Sequence, residues 1–434
     1  MTAGLLVLTL ALRMTVVMVD GDRLQSDPDA YVRLAKMLAD GRGYVAANGS
    51  DPTAFRPVFY PLLLAALLTG GCSPAAAVAT WNLLAGLAFV VGTVLLAKEF
   101  DLHPAAVVTA GFAAAADPLL VRYTTEPMTE NVCAAIFTLA VVYLLRFVRY
   151  ARRLDAGCGF GLAAIAGLLL GVSALCRPIV MISCVSLSLT MVVMLWNSVR
   201  PRRLSVILRL VWIGMPAAVA ALTVAPWVIR NAIHFGALIP ATTHGGYTLL
   251  LGNNSEFYHR VVSGRQSTWD ANSLQAWQRD LHRGLEESGK DQAGEHVVDG
   301  WMYQKAVAEI RHQPSMAVRA VILRWRRFWA LTPTASGASL PRYLLYAVGI
   351  WYGLTGIGLL LSLLRLYRNH SVILLWMSVM SFLAVHSFYW TNTRMRAPLT
   401  GVLIVLSTAG WVAQLRRSPV TRTDAAAVNT DSRT

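Results

Sequence analysis

Charge is scarce in this sequence, and its scarcity excludes most soluble folds. Only 14% of the 434 residues are charged, whereas a soluble domain carries about 25%. Hydrophobic residues make up 56% and gather in long runs, so the composition predicts a lipid bilayer as the main solvent. A cleavable signal pattern is also missing, since the first apolar run enters a polar loop without a small-residue cleavage site. That run is therefore expected to be the first membrane helix.

Motifs for metal or disulfide chemistry are missing too. The five cysteines show no C-x-x-C spacing and no dense framework, so neither structural zinc nor a disulfide scaffold is expected. They are Cys72, Cys133, Cys158, Cys176 and Cys184. No H-E-x-x-H spacing occurs either, and the single histidines His244 and His386 are expected to be structural.

The net charge of +15 is compatible with nucleic-acid binding, but the placement of the basic residues argues against it. They cluster at the ends of apolar runs, as topology signals do, and not along one surface. Anionic lipid head groups and a phosphorylated lipid substrate are the expected partners, and nucleic acid is not.

Apolar runs of about 20 residues predict an all-α polytopic membrane protein with about ten transmembrane helices, in a range of about 9 to 13. A further short or re-entrant segment is expected at 57–70. The ten predicted spans are 3–20, 75–97, 103–122, 131–148, 158–176, 178–196, 209–227, 341–364, 371–389 and 397–415.

The distribution of basic residues predicts that both termini are cytoplasmic. The predicted location is a bacterial-type inner membrane, crossed several times, with the functional loops on the extracytoplasmic side. The residues that mark the inner side are Lys98, Arg146, Arg149, Arg152, Arg153, Arg200, Arg202, Arg203, Arg209, Arg365, Arg368, Arg416, Arg417 and Arg422.

Two polar segments are too long to be simple connections and divide the chain into modules. The first outer loop, 21–60, lies within an N-terminal transmembrane module, 1–227. A mainly helical extracytoplasmic insert, 228–340, follows, and arginine with tryptophan over 315–330 predicts a helix in the membrane interface. A C-terminal transmembrane module, 341–417, precedes a small polar tail, 418–434, that is expected to be disordered.

The first outer loop holds the most informative pattern. From Asp27 it reads DPDAYVRLAKMLADGRGY, with apolar residues at helical spacing that predict a short juxtamembrane helix. Pro28 suits the first helical turn, and Gly41 suits the C-terminal cap. A stiff aromatic turn over 53–61 follows and presents Arg56 at the membrane edge.

These motifs resemble integral-membrane glycosyltransferases of the GT-C fold. The first outer loop has an acidic residue four positions before a tyrosine, followed by LAxxLAxGxGY and then FRPxxYP. This pattern is similar to the first outer loop of the family 39-like enzymes, the branch that includes protein O-mannosyltransferases and lipid A aminoarabinose transferases. PWVIRN at 226–231, with FG at 235–236 and GNN at 252–254, resembles the start of their larger outer loop. RP at 177–178 and RMRAP at 394–398 also fit, so the resemblance covers almost the whole chain.

The resemblance implies a catalytic base in the first loop, and the matching residue is Asp27. A carboxylate there is suited to take the proton of an attacking hydroxyl. The alternative is that Asp27 caps the helix that Pro28 begins, and Asp29 is then the fallback acid.

Arg56 suits a bidentate contact with a phosphate, or else anchors the loop at the interface. The motif tyrosines Tyr31 and Tyr60 are assigned to substrate binding beside it. Arg177, Arg394 and Arg396, at the outer ends of predicted spans, either bind the carrier phosphate or extend to the interface.

The second outer loop covers residues 123–131. The resemblance implies that Glu130, in this loop, lies near the acid of the first outer loop. It would orient the acceptor or share a metal there, or else only complement a helix dipole. Glu126 is a second fallback acid. Asp117 is costly if it faces lipid and is expected to line a cavity. No cofactor is assigned; two nearby carboxylates would suit a divalent cation, and the metal remains unknown.

The function that follows is an inverting hexosyl or pentosyl transferase. It would move a sugar from a polyprenyl-phosphate carrier to a glycan, lipid or protein acceptor at the extracytoplasmic face. The alternative is a lipid or small-molecule transporter or flippase. Transporters tend to show internal repeats and charges at the bilayer midplane. Here the acids gather in outer loops, which favours the enzyme.

Overall fold

Helices account for nearly all regular structure in the computed structural model of the chain. The structure describes residues 2–153, 156–196, 206–264, 269–333 and 341–416. Within these ranges no β-strand occurs, and the only β-type pairing is an isolated bridge between Val45 and Pro52. The prediction of an all-α polytopic membrane protein is confirmed. The predicted tail at 418–434 lies outside the described residues.

The helices follow one another with short connections. The first ten are α1 (Thr2–Asp20), α2 (Tyr31–Ala39), α3 (Phe59–Thr69), α4 (Pro74–Lys98), α5 (Pro104–Ala115), α6 (Pro118–Arg122), α7 (Glu130–Arg153), α8 (Ala156–Cys176), α9 (Ile179–Leu195) and α10 (Val206–Phe235). The insert contains α11 (Gly245–Leu251), α12 (Ser255–Phe257), α13 (Ala271–Glu287), α14 (Glu295–His312) and α15 (Pro314–Phe328). The chain continues with α16 (Arg342–Leu366), α17 (His370–His386) and α18 (Thr400–Leu415).

Eight helical segments in the described residues are long and apolar enough to cross a membrane. They are Thr2–Gln25, Pro74–Lys98, Pro104–Thr125, Glu130–Ala151, Gly159–Cys176, Leu210–Phe235, Arg342–Leu366 and Thr393–Leu415. The predicted spans 178–196 and 371–389 correspond to the shorter apolar helices α9 and α17, and the extra segment at 57–70 corresponds to α3. Every predicted span therefore coincides with an apolar helix.

Local sequence signals determine where several of these helices begin. The Ser73 hydroxyl accepts a hydrogen bond from the Ala76 amide, and Pro74 occupies the first helical turn of α4. Asp117 caps α6 in the same way, again with a proline after it. These side chains satisfy amide groups that have no partner inside the helix, and proline loses nothing there because it has no N–H.

Small residues bring the central helices close together. The backbones of α16 and α18 meet where Gly358 lies against Gly410, and a Cβ on either glycine would collide with the other helix. Gly401 of α18 packs against Thr138 of α7 in the same manner. Since lipid is as apolar as these side chains, close packing is what favours association of helices in a membrane. Helix α7 lies at the centre of the bundle, and its first residue, Glu130, is held deep among the others.

A buried arginine ties the first span to this centre. Arg13 lies midway along α1 and is fully buried. Its Nη1 donates to the Leu120 carbonyl at 3.0 Å, to the Thr124 hydroxyl at 2.8 Å and to the side-chain oxygen of Asn131 at 3.0 Å. Arg13, which belongs to the first membrane span, therefore fixes the segment that joins α6 to α7.

Helix α15 carries the predicted interfacial sequence. Val318, Ile322 and Trp325 are exposed along one face. Arg324 is buried on the opposite side, where it donates to the Ser387 carbonyl at 2.6 Å. This amphipathic pattern fits an interfacial helix, and its position in a bilayer stays a prediction.

Candidate functional site

Glu130 forms the centre of a buried group of charges. It is only 1% exposed, and its Oε1 lies 3.0 Å from Arg177 Nη1 and 3.1 Å from Arg394 Nε. Arg177 follows the last residue of α8, and Arg394 belongs to the 3-10 helix Thr393–Leu399. The second carboxylate oxygen, Oε2, is buried and has no hydrogen-bond partner in the described part of the chain.

The first outer loop brings Asp29 and Arg56 to the same group. Arg56 Nη2 lies 2.7 Å from Asp29 Oδ1, and Arg56 Nε donates to the Asp29 carbonyl at 3.0 Å. Asp29 Oδ2 lies 3.6 Å from Arg394 Nη2, so Arg394 connects the two carboxylates. We call Asp29, Arg56, Glu130, Arg177 and Arg394 the arginine cluster. Three guanidinium groups face two carboxylates, which leaves one positive charge in excess.

That excess charge is largely shielded from water, since the side chains of Arg56, Arg177 and Arg394 are 18%, 13% and 26% exposed, and this gives the cluster its chemical character. Taking a guanidinium out of water is costly unless an anion neutralises it. The cluster includes one arginine more than its own carboxylates can neutralise. An incoming phosphate would supply the missing charge and accept charge-assisted hydrogen bonds from the planar guanidinium groups.

Two tyrosines form one wall beside the cluster. The rings of Tyr31 and Tyr60 meet edge to face with centroids 5.4 Å apart, and the Arg56 guanidinium lies over the Tyr31 ring. Burial raises the pKa of the Tyr31 phenol above its ordinary value, so the phenol keeps its proton at neutral pH. The Tyr60 hydroxyl is buried without a hydrogen-bond partner among the described residues. Both phenols are therefore available as neutral hydrogen-bond donors.

Asp27 lies at the start of α2 and has a different environment. Its carboxylate accepts hydrogen bonds from the Val32 amide at 3.1 Å and the Arg33 amide at 2.8 Å. Ala30 adopts a left-handed backbone, with φ 62°, which turns the chain between the acid and the helix. Asp27 therefore caps the first turn of α2, but the expectation that Pro28 occupies that turn is wrong, because α2 begins at Tyr31 and Pro28 lies in the turn before it. Asp27 remains half-buried at the edge of the loop, and capping leaves its role as a base untested.

The turn that carries Arg56 is held by residues whose roles the sequence did not suggest. The Tyr44 hydroxyl donates to the Arg56 carbonyl at 2.9 Å. Arg230 donates to the carbonyls of Tyr44 at 2.8 Å and Thr53 at 2.7 Å. Arg230 belongs to the PWVIRN motif, and this motif was the one sequence feature that pointed to a role for it. The insert thus fixes the first outer loop through backbone atoms.

Glu295 provides a second connection between the loop and the insert. Its carboxylate accepts from the hydroxyls of Thr53 at 2.8 Å and Thr243 at 2.9 Å, and also from the Ala54 amide. Thr243 donates its own amide to the Ala54 carbonyl at 3.0 Å. No motif surrounds Glu295, so sequence reasoning had no means of finding this contact.

The other predicted acids lie outside the arginine cluster. Glu126 forms ion pairs of 3.1 Å with Arg23 and Arg122. Asp117 caps α6 and accepts a hydrogen bond of 3.3 Å from the Tyr352 hydroxyl. Both fallback acids therefore have structural partners of their own.

Arg396 and Asp117 do share a cavity, as was expected for Asp117. The cavity measures 430 Å³ and is lined mainly by apolar side chains of α16, α17 and α18. Arg396 stacks 4.1 Å over the Tyr352 ring and donates to the carbonyls of Phe328 and Ala330, both at 3.1 Å. The cavity is thus apolar along its length and polar at one end.

The two histidines behave as structural residues. His244 is enclosed between the rings of Phe55 and Tyr247, and burial lowers its pKa to about 3, so it is neutral at physiological pH. His386 lies 3.2 Å from the Thr391 hydroxyl.

The donor set of the cluster suits an anion better than a metal. In the part of the chain that the structure describes, no three His, Cys, Asp or Glu side chains group as metal ligands would. Asp29 and Glu130 face arginines, whose positive charge opposes a cation at the same oxygens.

Comparisons with solved structures identify the fold. The oligosaccharyltransferase AglB from Archaeoglobus fulgidus, in complex with an inhibitory peptide and a dolichol-phosphate, is similar with a TM-score of 0.56 at 16% identity. The match covers 100% of this chain and 52% of AglB, so the chain spans about half the length of that protein. The same enzyme tethered to an acceptor peptide also gives 0.56, at 14% identity over 97% of this chain and 50% of that one.

A third solved structure is less similar to this chain. ArnT from Cupriavidus metallidurans, bound to undecaprenyl phosphate, has a TM-score of 0.42 at 14% identity, covering 94% of this chain and 78% of ArnT. No protein-family model matches the sequence, and no curated protein matches it. The chain has the GT-C fold that its motifs suggested.

Proposed function

We propose that this protein is an inverting glycosyltransferase. It moves a sugar from a polyprenyl-phosphate carrier to an acceptor hydroxyl at the extracytoplasmic face of a bacterial-type inner membrane. The observation that carries the proposal is the arginine cluster: a buried, net positive group built from the ends of membrane helices and from the first outer loop. The resident acids alone do not neutralise it, and a lipid phosphate would.

The leaving group explains the need for arginines. When the acceptor oxygen attacks the anomeric carbon, the bond from that carbon to the phosphate oxygen breaks, and the carrier leaves as a phosphate anion. Such an anion is stable and needs no proton from the protein. Arg56, Arg177 and Arg394 are placed to stabilise the charge that develops on it. The reaction therefore needs one proton acceptor and no general acid.

The apolar cavity of 430 Å³ suits part of the carrier lipid. Arg396, at its polar end, is two residues from Arg394 on the same 3-10 helix, so cavity and cluster are close in the chain. The archaeal enzyme of the same fold is described in complex with dolichol-phosphate, which is a phosphorylated polyprenyl lipid. That likeness supports a lipid-linked donor here without naming the sugar.

Asp27 is the proposed base. It carries no ion pair in the described residues, unlike Asp29, which faces Arg56 and Arg394. Each carboxylate oxygen of Asp27 accepts one amide hydrogen bond and keeps a further lone pair for the proton of the acceptor hydroxyl. In this mechanism Glu130 orients the acceptor, and Asp29 positions Arg56.

The decisive experiment is Asp27→Asn, which keeps the size of the side chain and one of the two oxygens that accept amide hydrogen bonds, and so retains most of the capping. The variant should fold and insert normally, while transfer falls by about 10²–10⁴, the usual contribution of a positioned base. The readout is the envelope glycan, measured by mass spectrometry, in cells whose only copy of the protein is the variant.

Asp40→Asn is the matched control, since Asp40 is an exposed acid at the other end of α2. It should leave the glycan unchanged. Undiminished transfer by a well-expressed Asp27→Asn protein would assign Asp27 to capping alone. Normal transfer in Asp27→Asn, Asp29→Asn and Glu130→Gln would exclude the mechanism altogether.

A further inference from the structure

A second cavity lies between the first outer loop and the insert. It measures 590 Å³, within the range of roughly 300–1,000 Å³ that is usual for small-molecule sites. Its walls come from residues 46–55, from the end of α10 and from helices α11 and α14. Neither the donor phosphate nor the carrier lipid has been assigned to it.

The charge of this cavity is opposite to that of the arginine cluster. Asp51, Glu295 and Asp299 line it, and no lysine or arginine does so among the described residues. A phosphate placed here would be repelled by these carboxylates, whereas the arginine cluster would attract it. The donor's anionic end therefore belongs to the cluster, and this cavity suits a ligand without negative charge.

Aromatic rings supply the other part of the wall. Phe55, Phe235 and Tyr247 line the cavity, while His244 lies behind the lining, with its ring centroid 4.2 Å from that of Phe55 and 5.2 Å from that of Tyr247. Phe235 meets His296 across the cavity lining at 5.9 Å. The negative faces of such rings attract the C–H groups of a sugar, while carboxylates accept hydrogen bonds from its hydroxyls. Rings beside carboxylates are thus the chemistry that binds a neutral polyhydroxylated ring.

The cavity lies next to the proposed reaction site, and Phe55 is the residue between them. Phe55 lines it, and the Arg56 guanidinium lies 5.1 Å from the Phe55 ring. Glu295 also lines the cavity and holds Thr53 and Ala54, which precede this pair in the chain. A ligand seated against Phe55 would therefore hold one of its hydroxyls near the arginine cluster.

We propose that this cavity is the acceptor subsite and that it binds a carbohydrate group of a glycan or glycolipid. The inference rests on the proposed function and names its acceptor class. A peptide acceptor fits the walls less well, because they are helices and loops. The described residues present no strand edge with which an extended peptide could pair.

The test is photo-crosslinking of the full-length protein in its native membrane. Benzoylphenylalanine replaces Tyr247, which keeps an aromatic ring in the wall. The control places it at Val297, an exposed residue of α14 that is not part of the cavity lining. After irradiation and proteolysis, mass spectrometry identifies what is attached to each position.

Carbohydrate attached at Tyr247 and not at Val297 is the expected result. A peptide adduct, a polyprenol adduct, or equal yields at the two positions would overturn the proposal. A second variant with the probe at Phe55 covers the case in which the Tyr247 variant does not fold, as judged by gel filtration in detergent.

Crosslinking does not require turnover, so the two proposals fail separately. In an Asp27→Asn background the carbohydrate adduct should persist, because binding does not need the base. A carbohydrate adduct without glycan transfer in the parent strain would refute the enzyme, and the cavity would then be a carbohydrate-binding site but not an acceptor subsite. Normal transfer without the adduct would refute the subsite alone.

Discussion

The two ends of helix α7 hold charge groups of the same composition. At one end Glu130 faces Arg177 and Arg394. At the other, Glu99 lies 2.8 Å from Arg146 Nε and 2.9 Å from Arg149 Nη1. Glu130 and Arg146 are about 24 Å apart along the helix axis, at 1.5 Å per residue. One glutamate and two arginines thus appear at both ends of the same helix.

Burial and origin distinguish the two groups. The side chains of Arg177 and Arg394 are 13% and 26% exposed, whereas those of Arg146 and Arg149 are 33% and 38% exposed. The second pair is three residues apart on one helix, while the first comes from segments more than 200 residues apart. Exposed charges near a helix end are screened and report topology. A group assembled from distant segments and kept from water is better explained by binding.

The largest expected contrast is in sidedness. Ser50 lies on the Glu130 side and Arg368 on the Glu99 side of the predicted topology, and both are exposed. In a Cys72→Ser background, which removes an exposed cysteine, Ser50→Cys should be labelled completely by an impermeant maleimide in intact cells. Arg368→Cys should be labelled only after the cells are opened. Equal labelling of both in intact cells would contradict the assignment of the two ends.

The next contrast is in activity. Glu130→Gln should lower transfer by roughly 10²-fold because the acceptor loses an orienting carboxylate. The affinity for polyprenyl phosphate should stay the same or increase, since the arginine cluster becomes more positive. Glu99→Gln should leave transfer within about twofold, because Glu99 lies at the other end of α7, well beyond a Debye length from the arginine cluster. Full activity in a well-folded Glu130→Gln protein would reduce Glu130 to a partner of the helix dipole.

The smallest contrast is in stability. Arg177→Ala should cost about 3 kcal/mol, because it leaves the buried Glu130 only partly neutralised. Arg146→Ala should cost no more than about 1 kcal/mol. Thermal unfolding of both variants in detergent gives the comparison, and Arg177→Ala Glu130→Gln should recover part of the loss. Equal shifts of Tm for the two single variants would show that burial does not distinguish the two ends.

The spans could be predicted because the composition and length of a single segment are enough to identify a membrane helix. Arg56, Glu130, Arg177 and Arg394 could be selected because the resemblance marked them, and the structure brings them together. The role of Asp27 as a base stays a prediction. The contacts of Glu295 and Arg230 with the first outer loop could not be predicted, since they join residues 177 or more positions apart. Arg394 and Arg396 illustrate the same limit. They look alike in the sequence, yet one reaches the carboxylates and the other is held by backbone carbonyls and a tyrosine ring.

The burial of Arg13 has a consequence for the order of assembly during synthesis. Its partner Asn131 lies 118 residues further along the chain, and at about 5–20 residues per second that stretch takes roughly 6–24 s to make. Until then the first helix has an arginine midway along it without its final hydrogen bonds, which is unfavourable in lipid. Helix α1 can therefore complete its hydrogen bonds only after the start of α7 has emerged from the ribosome.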